Sequence, residues 1–411
     1  MSKPIKVGVV GCGYWGPNLV RNLNLLPDCQ LKMICDANEM RLEHLKTLYP
    51  DVQRATNYEF MLNGIGLEAV VIATSVKWHF PMAKASLLAG KHTFIEKPMA
   101  SSSAECEELI EIAQKKGLVL MTGHTFLYSP VIRKIKEIVD QGDIGDIRYI
   151  CARRLNLGLF QKDINVAWDL APHDISIVQH IMGEAPVTVN CRGCAHITPG
   201  VEDVTMICLS FSKQRTAMIH NSWLDPRKIR EMTIVGSKRM IVYDDVALLE
   251  KIRVFDARVE TPPHYDTFAE FQYAYHYGDV YAPYVKQEEP LKSECQHFLD
   301  CIKNGTQPLT GGKNGLELVR ILEASSRSLR LGGAPVDILP PKNEVVAHTD
   351  NGNSNGNGHS NGSNGHSSNG NGHSKTQPAR KVPVMKFKSD KRSVKMIKKV
   401  SRTDEPEIFA R

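Results

Sequence analysis

The chain has 411 residues, 42% hydrophobic and 23% charged, a balance that fits a soluble globular protein with room for two domains. No apolar run approaches the roughly 20 residues that a membrane span needs. The net charge of +6 is uneven: Lys375 to Arg411 holds about 12 basic and 4 acidic residues, so the remainder is near −2, and a basic-surface argument applies to the tail alone.

The opening "MSKPIKVGVVGCG" runs from an apolar stretch straight into glycine, which reads as a first strand and not as a signal peptide. "IKVGVVGCGYWGPNLVRNL" is then strand, glycine turn and helix. "LKMICDAN" is a second strand and "AVVIATS" a later one, followed by the helical "HFPMAKASLLAG" and the strand "KHTFIEKP". Ser102 and Glu105 have the spacing of a capping box, before a helix ending near Gly117, and "LVLMTG" closes the series. Near-continuous apolar strands alternating with helices predict a parallel sheet covered on both faces over residues 1–123.

From residue 124 the pattern changes. "SPVIRKIKEIVDQG" reads as a helix with Ser129 as cap and Pro130 at its first position. "IRYICARRLN", "VTVNCRGCAHI", "DVTMICLSFS", "RTAMIHNSWL" and "EMTIVGSKRMIVYDD" alternate with period two, which predicts a mostly antiparallel open sheet in a second, α+β domain over 124–342. The helical "HDISIVQHIMG" interrupts it, and "LKSECQHFLDCIKNG" and "GLELVRILEASSRSLRLG" are late helices able to pack on either domain. Residues 343–374 are dominated by Asn, Gly, Ser and His and are expected to be a disordered linker. Residues 375–411 are a basic tail, a candidate contact for an acidic partner. No specific nucleic-acid or membrane binding is expected. The ten cysteines are scattered. The single CxxC, Cys191 and Cys194, lacks a second pair, so no metal site is expected, and reduced thiols suit a cytoplasmic location.

Gly11-Cys12-Gly13-Tyr14-Trp15-Gly16 is a GxGxxG that follows a strand and opens a helix, the context in which it cradles a pyrophosphate. Asp36, 20 residues after Gly16, suits a carboxylate that accepts from ribose hydroxyls and repels a 2′-phosphate. NAD is therefore favoured over NADP, although Arg41 nearby weakens the preference. Lys97 ends the strand "TFIEKP", where ligands of a parallel sheet sit. Asp169 and His173, four apart, share a helix face if a helix starts here; Pro172 suggests instead a turn leading into that helix. Lysine, aspartate and histidine beside a nicotinamide make an alcohol-oxidising site, with histidine as base and ammonium holding the oxygen.

This ordered set, GxGxxG with "ATSVKWH" at 73–79, "EKP" at 96–98 and Asp169–His173, resembles the Gfo/Idh/MocA oxidoreductases over residues 4–340. The resemblance implies a Rossmann domain followed by a second domain on an open, mostly antiparallel sheet. It makes Lys97 the catalytic or substrate-holding lysine, Asp169 and His173 the family's DxxxH pair, and Glu96 a neighbour of the nicotinamide. Thr74, Ser75 and His79 fall in the loop under the cofactor. Ala73-Thr74-Ser75 stands where the family often has ATP, and "GHTFLYSP" replaces a common Asn-Arg pair. "YWGPN" and "LNLGLFQKDINVAWDLAPHDIS" look like the nucleotide-sugar branch, which includes UDP-N-acetylglucosamine 3-dehydrogenases and UDP-N-acetylglucosaminuronate oxidases. Arg153, Arg154, Asn156, Asn165 and Trp168 are then candidate sugar and diphosphate contacts, arginine because its planar fork pairs two oxygens, or Arg153 and Arg154 simply end an exposed strand. A homo-oligomer, dimer or tetramer, is expected. The rival readings are an NADPH-dependent reductase of a 3-keto sugar, another sugar or polyol dehydrogenase, and a catalytically silent nucleotide-binding or adaptor protein.

Overall fold

The computed structural model describes residues 3–64, 66–260 and 273–338; the linker and tail expected from residue 343 onward lie outside them. The first six strands are β1 (Ile5–Val10), β2 (Cys29–Cys35), β3 (Gln53–Ala55), β4 (Ala69–Ile72), β5 (His92–Glu96) and β6 (Leu120–Gly123). They form one parallel sheet in the order β3-β2-β1-β4-β5-β6, with α1 (Gly16–Leu25), α2 (Glu39–Leu48), α3 (Tyr58–Gly64), α4 (His79–Leu88) and α5 (Ser103–Lys116) between them. Adjacent strand residues point to opposite faces. Phe94 packs with α1 and α2, while Ile95 packs with α3, α4 and α5. Both faces are thus apolar, which is why the strands read as continuous hydrophobic runs. The α5 cap is Ser102, which accepts from the Glu105 backbone N–H at 3.3 Å. Glu105 reaches back to the N–H of Ser101, 3.0 Å away, one residue before the cap. Gly117, at φ +63°, closes the helix.

After α6 (Pro130–Asp140), capped by Ser129, the chain enters β7 (Ile147–Leu157) and then α7 (Val166–Met182). The remaining strands are β8 (Thr188–Cys194), β9 (Val204–Ser210), β10 (Thr216–Ser222), β11 (Leu224–Gly236), β12 (Met240–Asp244), β13 (Ile252–Glu260), β14 (Ala274–Tyr281) and β15 (Val336–Asp337). With β7 they make a nine-stranded sheet in the order β14-β13-β12-β11-β7-β10-β9-β8-β15. Every pairing in it is antiparallel except β7 with β10. Its inner face buries Ile150, Ile207, Ile219 and Ile234 against α6 and α7, while Tyr149, Met206 and Met218 are exposed on the other side.

The late helices divide their allegiance. α8 (Pro290–Asn304) returns to the parallel sheet, where Phe298 meets the Phe94 ring edge-on at 5.8 Å. α9 (Gly312–Arg330) lies between the two sheets: Val319 joins the core of the parallel sheet, and Leu318 and Leu322 that of the open sheet.

Candidate functional site

A cavity of about 600 Å³ opens at the carboxyl ends of the parallel strands. It lies where β1 and β4 are neighbours and the strand order reverses direction, the switch point at which doubly wound sheets bind ligands. Tyr14, Trp15 and Thr74 line its nucleotide side; Lys97, Asp169 and His173 line the far end, with Arg154 and Asn156 from β7.

The glycine turn is built for close approach. Gly11 sits at φ +93°, and a Cβ there would lie 2.5 Å from the Ala73 carbonyl oxygen. A Cβ on Gly16 would lie 1.9 Å from the Gly11 carbonyl oxygen, so only glycine lets α1 start this close to β1. No side chain caps α1, which leaves backbone N–H groups for a phosphate. Asp36 is buried at the end of β2, its carboxylate accepting from the N–H of Cys12 at 2.7 Å and of Asn38 at 2.8 Å. Arg41 Nη1 stands 3.4 Å from the same carboxylate. An uncapped helix start, a glycine cradle and a fixed carboxylate one strand over fit a nicotinamide dinucleotide.

Trp15 Nε1 donates to Glu96 Oε1 at 2.8 Å, joining the start of α1 to the end of β5. The Glu96 carboxyl rests against Gly123, where a Cβ would come within about 3.0 Å of it. Burial pushes the Glu96 carboxyl up to about 7, although Lys97 and the Trp15 and backbone donors oppose the shift. Glu294 of α8 is wholly buried beside it, accepts from Thr125 Oγ1 at 2.6 Å, and is pushed well above the usual carboxyl range by burial and by the Glu96 charge.

Lys97 Nζ donates to the Asp169 carbonyl oxygen at 2.7 Å and stands 3.5 Å from its carboxylate. The other Asp169 oxygen takes the Trp223 indole N–H at 3.1 Å. Asn165 accepts from the Trp168 N–H at 3.2 Å and starts α7 there, so the helix runs through Pro172 instead of beginning after it. Asp169 and His173 therefore do share a helix face, but no hydrogen bond joins them. His173 instead meets the Phe126 ring edge-on at 5.1 Å, and its buried Nδ1 has no protein partner. Burial, then the charges of Lys97, Arg154 and Arg230, lower its pKa well below the ordinary imidazole value, so it stands neutral.

Several expected site residues have other employment. Arg153 faces outward and pairs with Glu231 at 2.5 Å. Arg154 points inward, but its guanidinium is held by Asp174 through two bonds of 2.9 Å and lies over Phe126 at 4.7 Å. Asn165 is a helix cap that also donates to Glu202 at 2.7 Å. Trp168 packs in the core and donates to Ser326 Oγ at 2.9 Å. His79 is buried between the Pro98 carbonyl at 2.8 Å and the Thr74 carbonyl at 3.0 Å, bracing two loops without lining the cavity. Ser75 precedes a short 3-10 turn and is likewise outside the lining. The structure adds Arg230 and Asp245, 3.5 Å apart at the cavity wall. They sit in strand contexts with no local motif to mark them.

Two family models match the chain: the oxidoreductase family's NAD-binding Rossmann fold over residues 5–124 and the GFO/IDH/MocA C-terminal domain over 132–242, together more than half of it. The uncharacterized oxidoreductase YrbE of Bacillus subtilis is 27% identical over 82% of this chain and 98% of its own length. The myo-inositol 2-dehydrogenase of Thermotoga maritima is 25% identical over 79% of this chain and 96% of its own. Among solved structures, the UDP-N-acetylglucosamine 3-dehydrogenase GnnA of Acidithiobacillus ferrooxidans superposes with a TM-score of 0.66 at 23% identity, covering 80% of this chain and 99% of that one, a likeness of fold. The glycine cradle, the paired sheets and both family models lead to one conclusion: the chain belongs to the Gfo/Idh/MocA oxidoreductases.

Proposed function

We propose that this family member is an NAD-dependent dehydrogenase that oxidises a secondary hydroxyl, at carbon 3, of a nucleotide sugar such as a UDP-N-acetylhexosamine. The observation that carries the chemistry is the convergence of Lys97, Asp169 and a neutral, half-buried His173 on the cavity wall. A bound nicotinamide supplies the hydride acceptor. His173 takes the hydroxyl proton. The Lys97 ammonium, anchored on the Asp169 carbonyl, turns its remaining N–H groups to the substrate oxygen and favours the alkoxide as it develops. Asp169, held by Trp223 and Lys97, fixes where that ammonium points. Asn156 and Arg230 are the wall residues that meet the sugar and its phosphates: Arg230 is held by Asp245 at 3.5 Å, whereas Arg153 and Arg154 are paired at 2.5 and 2.9 Å.

The nucleotide-sugar reading is supported by the run "LNLGLFQKDINVAWDLAPHDIS", which brings Asn156, Asp169 and His173 to the cavity wall. A polyol such as myo-inositol is the second reading, favoured by the relative that matches along nearly its whole length. The test is reduced-nicotinamide absorbance with NAD or NADP and a panel of UDP-N-acetylglucosamine, UDP-N-acetylglucosaminuronate and myo-inositol. Turnover on a UDP-sugar supports the proposal; turnover on myo-inositol alone overturns it in favour of the second reading.

A further inference from the structure

One face of α7 carries a polar line. Asp169, His173, Ser176 and His180 follow at steps of four, three and four residues, which keeps them on one side of a 3.6-residue turn. Off the line, Ile175, Ile177, Val178 and Ile181 are buried in the apolar core. The line begins at the cavity described above, which Asp169 and His173 line. It ends at a second cavity of about 490 Å³, lined by Ser176 and His180, that shares no lining residue with the first. At 1.5 Å per residue the step from His173 to His180 is about 10 Å.

His124 stands between the two. It directly follows β6 and lines the second cavity, while the next residues, Thr125 and Phe126, line the first. The residue is 2% exposed, and neither ring nitrogen has a protein partner. With His173 Nδ1, that makes three buried imidazole nitrogens without a protein bond among residues that line the two cavities. Buried polar atoms are nearly always bonded, and where protein does not serve them ordered water does. Lys97, which follows β5, faces both rings, and Arg154 of β7 and Arg230 of β11 face His173. Beyond His124 the second cavity is edged by Lys313 and Glu317 of α9, and Gln179 donates to Glu317 at 3.4 Å. His180 there faces Lys136, Asp140 and Arg133 of α6.

We infer that His124 relays the proton taken up by His173 into the second cavity, from which it leaves past Gln179 and His180. This rests on the reading of His173 as the base. A crevice filled by dinucleotide and sugar excludes water from the substrate side of His173, so the proton needs another way out. The substrate O–H gives its proton to His173 Nε2, while the C–H electron pair leaves with its hydrogen to the nicotinamide. His173 then passes a proton from Nδ1 through water to one nitrogen of His124. His124 releases one from its other nitrogen into the second cavity. Both rings end neutral, with one proton released for each hydride transferred, and ring rotation or a reverse shift restores the starting tautomers.

The experiment compares His124→Gln and His173→Asn in stopped flow with NAD and the alcohol from the panel above that is turned over. Hydride transfer is followed by absorbance and proton release by a pH indicator in weak buffer. His124→Gln is expected to keep first-turnover hydride transfer while proton release lags by at least about tenfold, as removal of an acid–base group does, and added imidazole is expected to shorten the lag. In the cofactor-free chain, imidazole-nitrogen NMR is expected to show the His173 titration moving up when His124 is replaced. His180→Gln, at a half-buried position, is expected to reproduce the lag should His124→Gln fail to fold. Proton release in step with hydride transfer in the folded variant overturns the relay alone, with His173→Asn still inactive. Near wild-type turnover in His173→Asn overturns the relay and the assignment of the base together.

Discussion

Lys97 donates to the backbone carbonyl of Asp169 across 2.7 Å, tying the end of a parallel strand to a helix that packs on the other sheet. The ammonium is thereby aimed by main chain from two different layers, and its placement does not depend on the rotamer of one acid. Replacing Lys97 by Ala, or His173 by Asn, is expected to cost at least about a hundredfold in turnover with dinucleotide affinity nearly unchanged. The double variant is expected to lose less than the product of the two, because both act on one proton transfer. Steady-state kinetics with NAD titration measures all three.

Asp36 accepts two backbone N–H groups within 2.8 Å, which hold its carboxylate in place. NAD is expected to bind at least about tenfold tighter than NADP, about 1.4 kcal/mol. Asp36→Ser, which leaves Arg41 free of its partner, is expected to narrow that ratio; an unchanged ratio in the titration would remove Asp36 from cofactor choice.

Glu96 gives a pH signature. Its folded pKa of about 7 lies above the ordinary 4.5, so the folded chain holds a proton that the unfolded chain releases. The stability this provides is full below about pH 4.5 and lost as pH rises to about 7. Melting temperatures of the wild type are therefore expected to fall relative to Glu96→Gln across that window. Parallel curves would mean the carboxyl titrates normally.

Gly16→Ala would place a Cβ 1.9 Å from a backbone oxygen with no flexible side chain to yield. Overpacking of this kind costs about 1–3 kcal/mol or more, so thermal unfolding is expected to shift down clearly. Gly183→Ala provides the contrast. Nothing lies within 4 Å of a Cβ there, and its cost is the φ of +71° alone.

Arg154 and Asp174 form a buried pair with two 2.9 Å bonds. Removing one partner of such a pair costs about 3–5 kcal/mol because the other charge is left buried. Arg154→Ala is therefore expected to destabilise the fold in a denaturant titration. A variant that unfolds normally but raises KM for the sugar would instead make Arg154 a substrate ligand.

The parts that could be read from the sequence are those carried by local periodicity. The glycine turn, the apolar strands β1, β2, β4, β5 and β6, the Ser102 and Ser129 caps and the alternating strands after Asp146 all depend on neighbours a few residues away. Arg153 and Arg154 show the limit: alternation says they face opposite sides of β7, not which side is buried or that Asp174 waits inside. Pro172 hid the true start of α7, since a proline inside a helix forgoes an N–H and crowds the carbonyl four residues back, yet Asn165 had already capped the first turn. Arg230 and Asp245 reach the cavity, and Glu294 the buried side of Glu96, from elements far along the chain, so only tertiary structure could bring them in. β13 and β14, rich in exposed and charged residues, carry too little apolar alternation to stand out.

α9 is glued to both sheets, Val319 on one side and Leu318 and Leu322 on the other, with Gly315 so close to Thr122 that a Cβ would lie 2.6 Å from its hydroxyl. Swinging one sheet away from its neighbour would tear two hydrophobic seams at once. Clamshell opening is therefore closed to this architecture, and traffic through the crevice falls to individual gates at its rim. Tyr14, 86% exposed at the head of the glycine turn, lies on that rim.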